Sequence, residues 1–78
     1  MRVTFDPRTN AAYIYFTEEG ASRHVAKTYA CDPTQVDGMI SLDFDAEGRL
    51  IGVEVMSASL KLPSSLLPLG DAAPRAAR

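Results

Sequence analysis

The residues best spaced for chemistry lie between Asp43 and Glu54. Asp43, Asp45 and Glu47 stand at the first, third and fifth positions of a twelve-residue stretch, with Gly48 at the sixth and Glu54 at the twelfth. That is the spacing of a calcium loop, in which several oxygens surround a hard cation and the glycine permits the sharp turn between them. The motif needs a helix on each side. Here Gly38 to Leu42 alternates polar and apolar residues, and so does Leu50 to Val55, which is the period of strands. The expectation is therefore an acidic cluster of solvated carboxylates around a hairpin turn, Asp43, Asp45, Glu47 and Glu54, with calcium binding by the 43–54 loop as an alternative. No metal ligand and no cofactor is assigned.

Other reactive residues are isolated. His24 and Cys31 are the sole histidine and the sole cysteine, seven residues apart, and they miss every zinc spacing. His24 could serve as a base oriented by Asp32 or Asp37, but nothing in the order of residues brings a nucleophile beside it, so it reads as a surface histidine. Cys31 lacks a second cysteine or a cation cluster to activate it, and reads as a small buried hydrophobe. Tyr13, Tyr15 and Tyr29 could stack on bases, yet without a basic surround they fit a core or an interface better. No catalytic residue is assigned, and an enzyme would need a site assembled between subunits.

The size of the chain sharpens the interface reading. A domain of 78 residues buries only about 60% of the surface its unfolded chain exposes. One cysteine rules out an internal disulfide and points to a reducing compartment. Small domains without such staples gain burial by associating. A hydrophobic content of 46% with 23% charged residues suits a folded globular domain. The net charge of −2, with scattered basic residues, gives no footprint for direct nucleic-acid binding. The start MRVTFDPRTN carries no signal-like segment, and no apolar run approaches the roughly 18 residues of a membrane span. A cytoplasmic protein is expected, with no membrane partner.

The elements that must position these residues are strands. Arg2 to Phe5 alternates, with Val3 and Phe5 on one side, and Asp6-Pro7 ends it in a turn reaching Asn10. Ala11 to Phe16 has two apolar faces, Ala12, Ile14 and Phe16 against Ala11, Tyr13 and Tyr15. Such a strand belongs between two layers, and a second subunit would supply the missing one. Glu18-Glu19-Gly20 breaks the chain, and His24 to Cys31 forms a third strand in which Lys27 shares a face with Val25 and Tyr29, the mark of an edge. Asp32-Pro33 to Asp37-Gly38 is a longer connection. Met39 to Asp45 sets Ile40, Leu42 and Phe44 inward; after a turn with Gly48 at positive φ, Ile51, Val53 and Val55 face inward opposite Gly52 and Glu54. Ser57 to Leu62 fits one helical turn capped by Ser57 and packing Leu60 or Leu62, with Pro63 as its stop.

The segments Thr4 to Phe16, Ile40 to Val55 and Ser57-Ala58-Ser59, in that order, resemble domain-of-unknown-function family 2283, a family of short bacterial proteins. The resemblance spans about residues 1–62. It implies a β setting for the aspartate-rich segment before Gly48, and it brings no activity and no catalytic residues to carry over. Through relatives encoded beside small toxin-like proteins, the resemblance also implies an antitoxin-like role as an alternative, with the acidic hairpin Asp43 to Glu54 meeting a basic protein partner. The longer connection Asp32 to Gly38 and the leucine-rich end depart from the family's pattern.

The fold expected is thus mainly β with a short C-terminal helix: a small antiparallel meander of about five strands, packed against a second subunit. Residues 1–62 form the domain and 63–78 a leucine-rich extension and flexible tail. The leading functional expectation is a noncatalytic homo-oligomeric interaction module, dimeric or higher, whose interface includes Tyr13, Tyr15, Tyr29, Leu60, Leu62 and Leu66.

Overall fold

The computed structural model describes residues 1–17 and 24–67. The break expected at Glu18-Glu19-Gly20, Leu69 and the tail from Asp71 to Arg78 lie outside the described residues.

Five strands form one antiparallel sheet. They are β1 (Arg2–Asp6), β2 (Ala11–Tyr15), β3 (Lys27–Ala30), β4 (Ile40–Phe44) and β5 (Leu50–Met56). A one-turn helix α1 (Pro33–Val36) joins β3 to β4, and a second, α2 (Ala58–Lys61), follows β5 before a 3₁₀ turn at Ser64–Leu66. The alternation read from the sequence locates every strand, although the third is shorter than expected and runs Lys27–Ala30 rather than from His24 to Cys31.

The order across the sheet is β1-β2-β5-β4-β3. This corrects the expected meander. β1 and β2 form one hairpin, β3, β4 and β5 form a meander of their own, and the last strand inserts between the two groups by pairing with β2. The physical reason lies in the side chains: β5, with Ile51, Val53 and Val55 on one face, is the strand best equipped for the centre, whereas β3 carries Lys27 and suits an edge. The edge position of the third strand is as the sequence indicates, and all four of its residues are exposed.

Registry assigns the two faces. Val3 opposes Ile14, Ile14 opposes Val53 and Val53 opposes Leu42, which in turn opposes Tyr29. Because successive side chains alternate, these residues share one apolar face with Phe5, Ala12, Val55 and Ile40. The other face carries Thr4, Tyr13, Glu54 and Ser41 in one row, and Arg2, Tyr15, Gly52, Asp43 and Thr28 in the next. A register shift between Asp43 and Phe44 sets Leu50 opposite Phe44, a bulge beside the β4–β5 turn.

The apolar residues buried among those described are Ala12, Ile51, Val55 and Ala58, and no large side chain is fully enclosed. Val3, Phe5, Ile14, Ile40, Leu42, Phe44 and Val53 are only half-buried. The shortest Cα extent is 18 Å, so the sheet lies under little cover. Among the described residues no helix is long and apolar enough to cross a membrane.

The ends of the sheet are closed by polar clamps. Asn10, at φ 58°, accepts the Ala58 N–H on its backbone carbonyl (2.8 Å) and the Ser59 N–H on Oδ1 (3.0 Å), and its Nδ2 donates to Ser59 Oγ (2.9 Å). The expected Ser57 cap is therefore replaced: Ser57 sits in the left-handed region at φ 54° and makes no side-chain cap bond. A residue with that backbone turns away from the N–H groups it would otherwise cap, and Asn10 reaches them from 49 positions upstream. The helical turn itself is present, with Leu60 83% exposed and Leu62 half-buried. Asp32 caps α1 by accepting from the Thr34 N–H at 3.0 Å, with Pro33 at the first helical position. At the other end of α1, Lys61 Nζ donates to the Val36 carbonyl at 2.9 Å.

Candidate functional site

Two surfaces carry the residues singled out in the sequence, and they lie on opposite sides of one sheet. On the polar face the organising residue is Gly52. A Cβ at Gly52 would overlap the phenol of Tyr13, so the glycine opens the lane along which that ring lies flat across β5. Tyr13 thereby reaches past its own neighbour to β4, where its hydroxyl donates to Asp43 Oδ2. The other carboxylate oxygen of Asp43 accepts from Thr28 Oγ1 at 2.6 Å. Three strands, β2, β4 and β3, are thus tied by one chain of side chains that passes over β5 at Gly52. Beside it, the Tyr15 ring stands 4.6 Å from that of Tyr13, tilted by 51°, and the Arg2 guanidinium lies 4.0 Å above the Tyr15 centroid, a cation–π contact.

The acidic residues do not gather. Asp43 is engaged with Tyr13 and Thr28. Asp45 closes the β4–β5 turn, accepting from the Glu47 and Arg49 N–H groups (both 2.9 Å) on Oδ1 and from Arg49 Nε (2.9 Å) on Oδ2. These backbone N–H bonds, with the Arg49 guanidinium, hold the Asp45 carboxyl below its ordinary range. Glu47 meets Arg49 Nη2 at 3.2 Å. Glu54 is exposed, opposite Ser41 and Tyr13 in register and diagonal to Asp43. Gly48 has φ 84°, as the turn requires. The calcium-loop spacing thus folds as two paired strands and a tight turn, with its carboxylates directed to separate tasks. Among the described residues no three His, Cys, Asp or Glu side chains are close enough together to hold a metal ion.

The remaining expected site residues are dispersed. Tyr29, 54% exposed, faces the apolar side opposite Leu42 and so shares no surface with Tyr13 and Tyr15. Leu66 is half-buried in the 3₁₀ turn. His24 is exposed ahead of β3. Cys31, expected to be buried, is only half-buried, because it follows β3, the edge strand of the sheet; it borders a surface hollow with Pro33, Met39 and Ile40. Sequence reading placed Gly52 opposite the apolar face but missed its partnership with Tyr13, Asp43 and Thr28. A glycine inside an alternating strand is the signal that marks close approach of another group.

The fold and both faces being defined, the comparison with families is direct: the family model described as "Protein of unknown function (DUF2283)" matches residues 2–59. The chain belongs to this family. The DUF2283 match takes in all five strands and the start of α2, so the sheet and the Asn10–Ser59 clamp fall within it. No curated protein and no solved structure matches the chain.

Proposed function

We propose that this protein is a noncatalytic interaction module that works as an assembly of its own copies, with the apolar sheet face of one chain covered by that of another. The observation that carries this reading is the half-buried state of Val3, Phe5, Ile14, Leu42 and Val53. Val3, Ile14, Val53 and Leu42 form a continuous row across β1, β2, β5 and β4, extended at the β3 edge by Tyr29, and Phe5 begins the adjacent row with Ala12, Val55 and Ile40. A contiguous apolar patch of that kind marks an interaction surface. Among the described residues little covers it, since the two helices have one turn each and the buried apolar set contains two alanines. Two such faces stacked about 10 Å apart make a sandwich core of ordinary thickness, and a second copy brings a patch that is apolar in the same places. Lys27, on this face at the rim, limits how far the contact spreads.

Light scattering or sedimentation at micromolar concentration is the test. A dimer or larger species is expected for the wild type, and Leu42→Glu, which places a charge within the row, is expected to lower the particle mass while the far-ultraviolet spectrum keeps its β signature. A wild-type chain that stays monomeric and well folded overturns the proposal.

A further inference from the structure

Among the described residues the sheet has two open edges, and they are not alike. β3 is four residues long, wholly exposed, and carries Lys27 on the apolar face, where a charge discourages pairing. β1 has no lysine, no internal proline and no bulge; all five of its residues pair in unbroken register with β2. Among the described residues its outer side is the unguarded edge.

The hydrogen-bond pattern shows which groups that edge presents. Phe16 donates its N–H to the Ile51 carbonyl, so by alternation Tyr15, Tyr13 and Ala11 turn their peptide groups toward β1. Their partners Arg2, Thr4 and Asp6 turn toward β2, and the Asp6 carbonyl accordingly accepts from Asn10. The N–H and C=O groups of Val3 and Phe5 therefore point outward from the sheet.

We infer that β1 pairs with β1 of a second copy of this chain, antiparallel about a two-fold axis through Thr4, to give a continuous ten-stranded sheet. In that register Val3 lies opposite Phe5 of the other copy, and these are the residues with outward peptide groups, so the two symmetric pairs exchange four backbone hydrogen bonds. Arg2 lies opposite Asp6, Thr4 opposite Thr4, and Val3 opposite Phe5. Opposite charges, paired threonines and an aromatic beside a β-branched residue are the cross-strand neighbours that stabilise antiparallel sheets. The Asp6 carboxylate is held by Arg8 through a backbone N–H bond and a long side-chain contact, Nη2 to Oδ2 at 3.5 Å. A two-fold through Phe5 instead sets Pro7, which has no N–H, opposite Val3. One through Val3 leaves both charges without opposites. No two-fold register within β3 sets Lys27 against a carboxylate. This inference rests on the reading that copies of the chain associate, and it adds a second surface, at right angles to the first.

Cysteine cross-linking in a Cys31→Ser background tests both the edge and the register. Thr4 is a non-hydrogen-bonded pair in this arrangement, with Cα atoms about 4.5 Å apart, within disulfide reach, whereas Arg2 and Asp6 each stand four residues, about 13 Å, from their own symmetry mates. Thr4→Cys is expected to form a disulfide dimer under mild oxidation, at least tenfold faster than Arg2→Cys or Asp6→Cys. The same cross-link is expected in a Leu42→Glu background, because the edge contact does not use the apolar face. If Thr4→Cys fails to cross-link while the wild type remains oligomeric, or if all three positions react alike, the edge pairing is overturned and association through the face stands. If Thr4→Cys cross-links but Leu42→Glu leaves the particle mass unchanged, the edge pairing stands and the face contact is overturned. A monomeric wild type with no Thr4 cross-link overturns both.

Discussion

Gly52 shows how much a single missing methyl group decides in this sheet. Because Tyr13 crosses the backbone where a side chain would stand, Gly52→Ala is expected to displace the ring and break the Tyr13–Asp43 bond, lowering stability by about 1–3 kcal/mol. Tyr13→Phe keeps the ring and loses the hydroxyl's bond to Asp43, at a cost of about 1–2 kcal/mol. Urea titration of both variants checks the order. In the β4–β5 turn, the depressed Asp45 carboxyl carries a pH dependence of fixed sign. A carboxyl whose folded value lies below its unfolded value, about 3.9, stabilises fully above that pH and progressively less as the pH falls through the folded value. Asp6 is held low as well, first by the Arg8 backbone N–H. The urea midpoint is therefore expected to fall below about pH 4, and Asp45→Asn, which can still accept the turn N–H groups, is expected to flatten that fall. The turn was legible in the sequence from Gly48 and its flanking acids. The Tyr13 lane was not, because it depends on registry between β2, β5 and β4, which alternation within each strand leaves open.

Among the elements, α2 is held by a residue far from it. The helix has four residues and cannot persist on its own; Asn10 supplies the acceptor for Ser59 N–H and the carbonyl for Ala58 N–H. Asn10→Ala is expected to destabilise the fold by about 1–2 kcal/mol, since it removes two side-chain bonds and places alanine at positive φ. Ser57→Gly is expected to raise stability by about 1 kcal/mol, because Ser57 holds a left-handed backbone without using its hydroxyl as a cap. Thermal melts of the two variants should therefore move in opposite directions. The strands were readable because each needs only a period of two and a turn. The helical turn was readable from Pro63 and the loss of alternation after Met56. Its cap was misread because Ser57 is the residue type that a local rule selects, whereas the group that fills the role arrives through the tertiary fold. α1 was read only as a connection, although Asp32-Pro33 is a helix start by residue type.

At the scale of the molecule, the sequence shows five strands and one edge, but not that the last strand becomes the centre. Two hairpins predict neighbours in chain order; the insertion of β5 between β2 and β4 follows from which strand can be apolar on one face and unbranched enough at Gly52 to admit a neighbour's ring on the other. Hydrogen exchange is expected to follow this order, with the amides of β5 slowest and those of β3 fastest, because β5 is paired on both sides and β3 stands exposed at the rim. A β3 protected as strongly as β5 would contradict the arrangement. The placement of β5 also sets a schedule for the ribosome. The segment that joins the β1–β2 pair to the β3–β4 pair is synthesised after all four of those strands, so the sheet cannot be completed until residues 50–56 clear the exit tunnel. Folding of this domain is then a closing event, completed by the final strand rather than grown outward from the first.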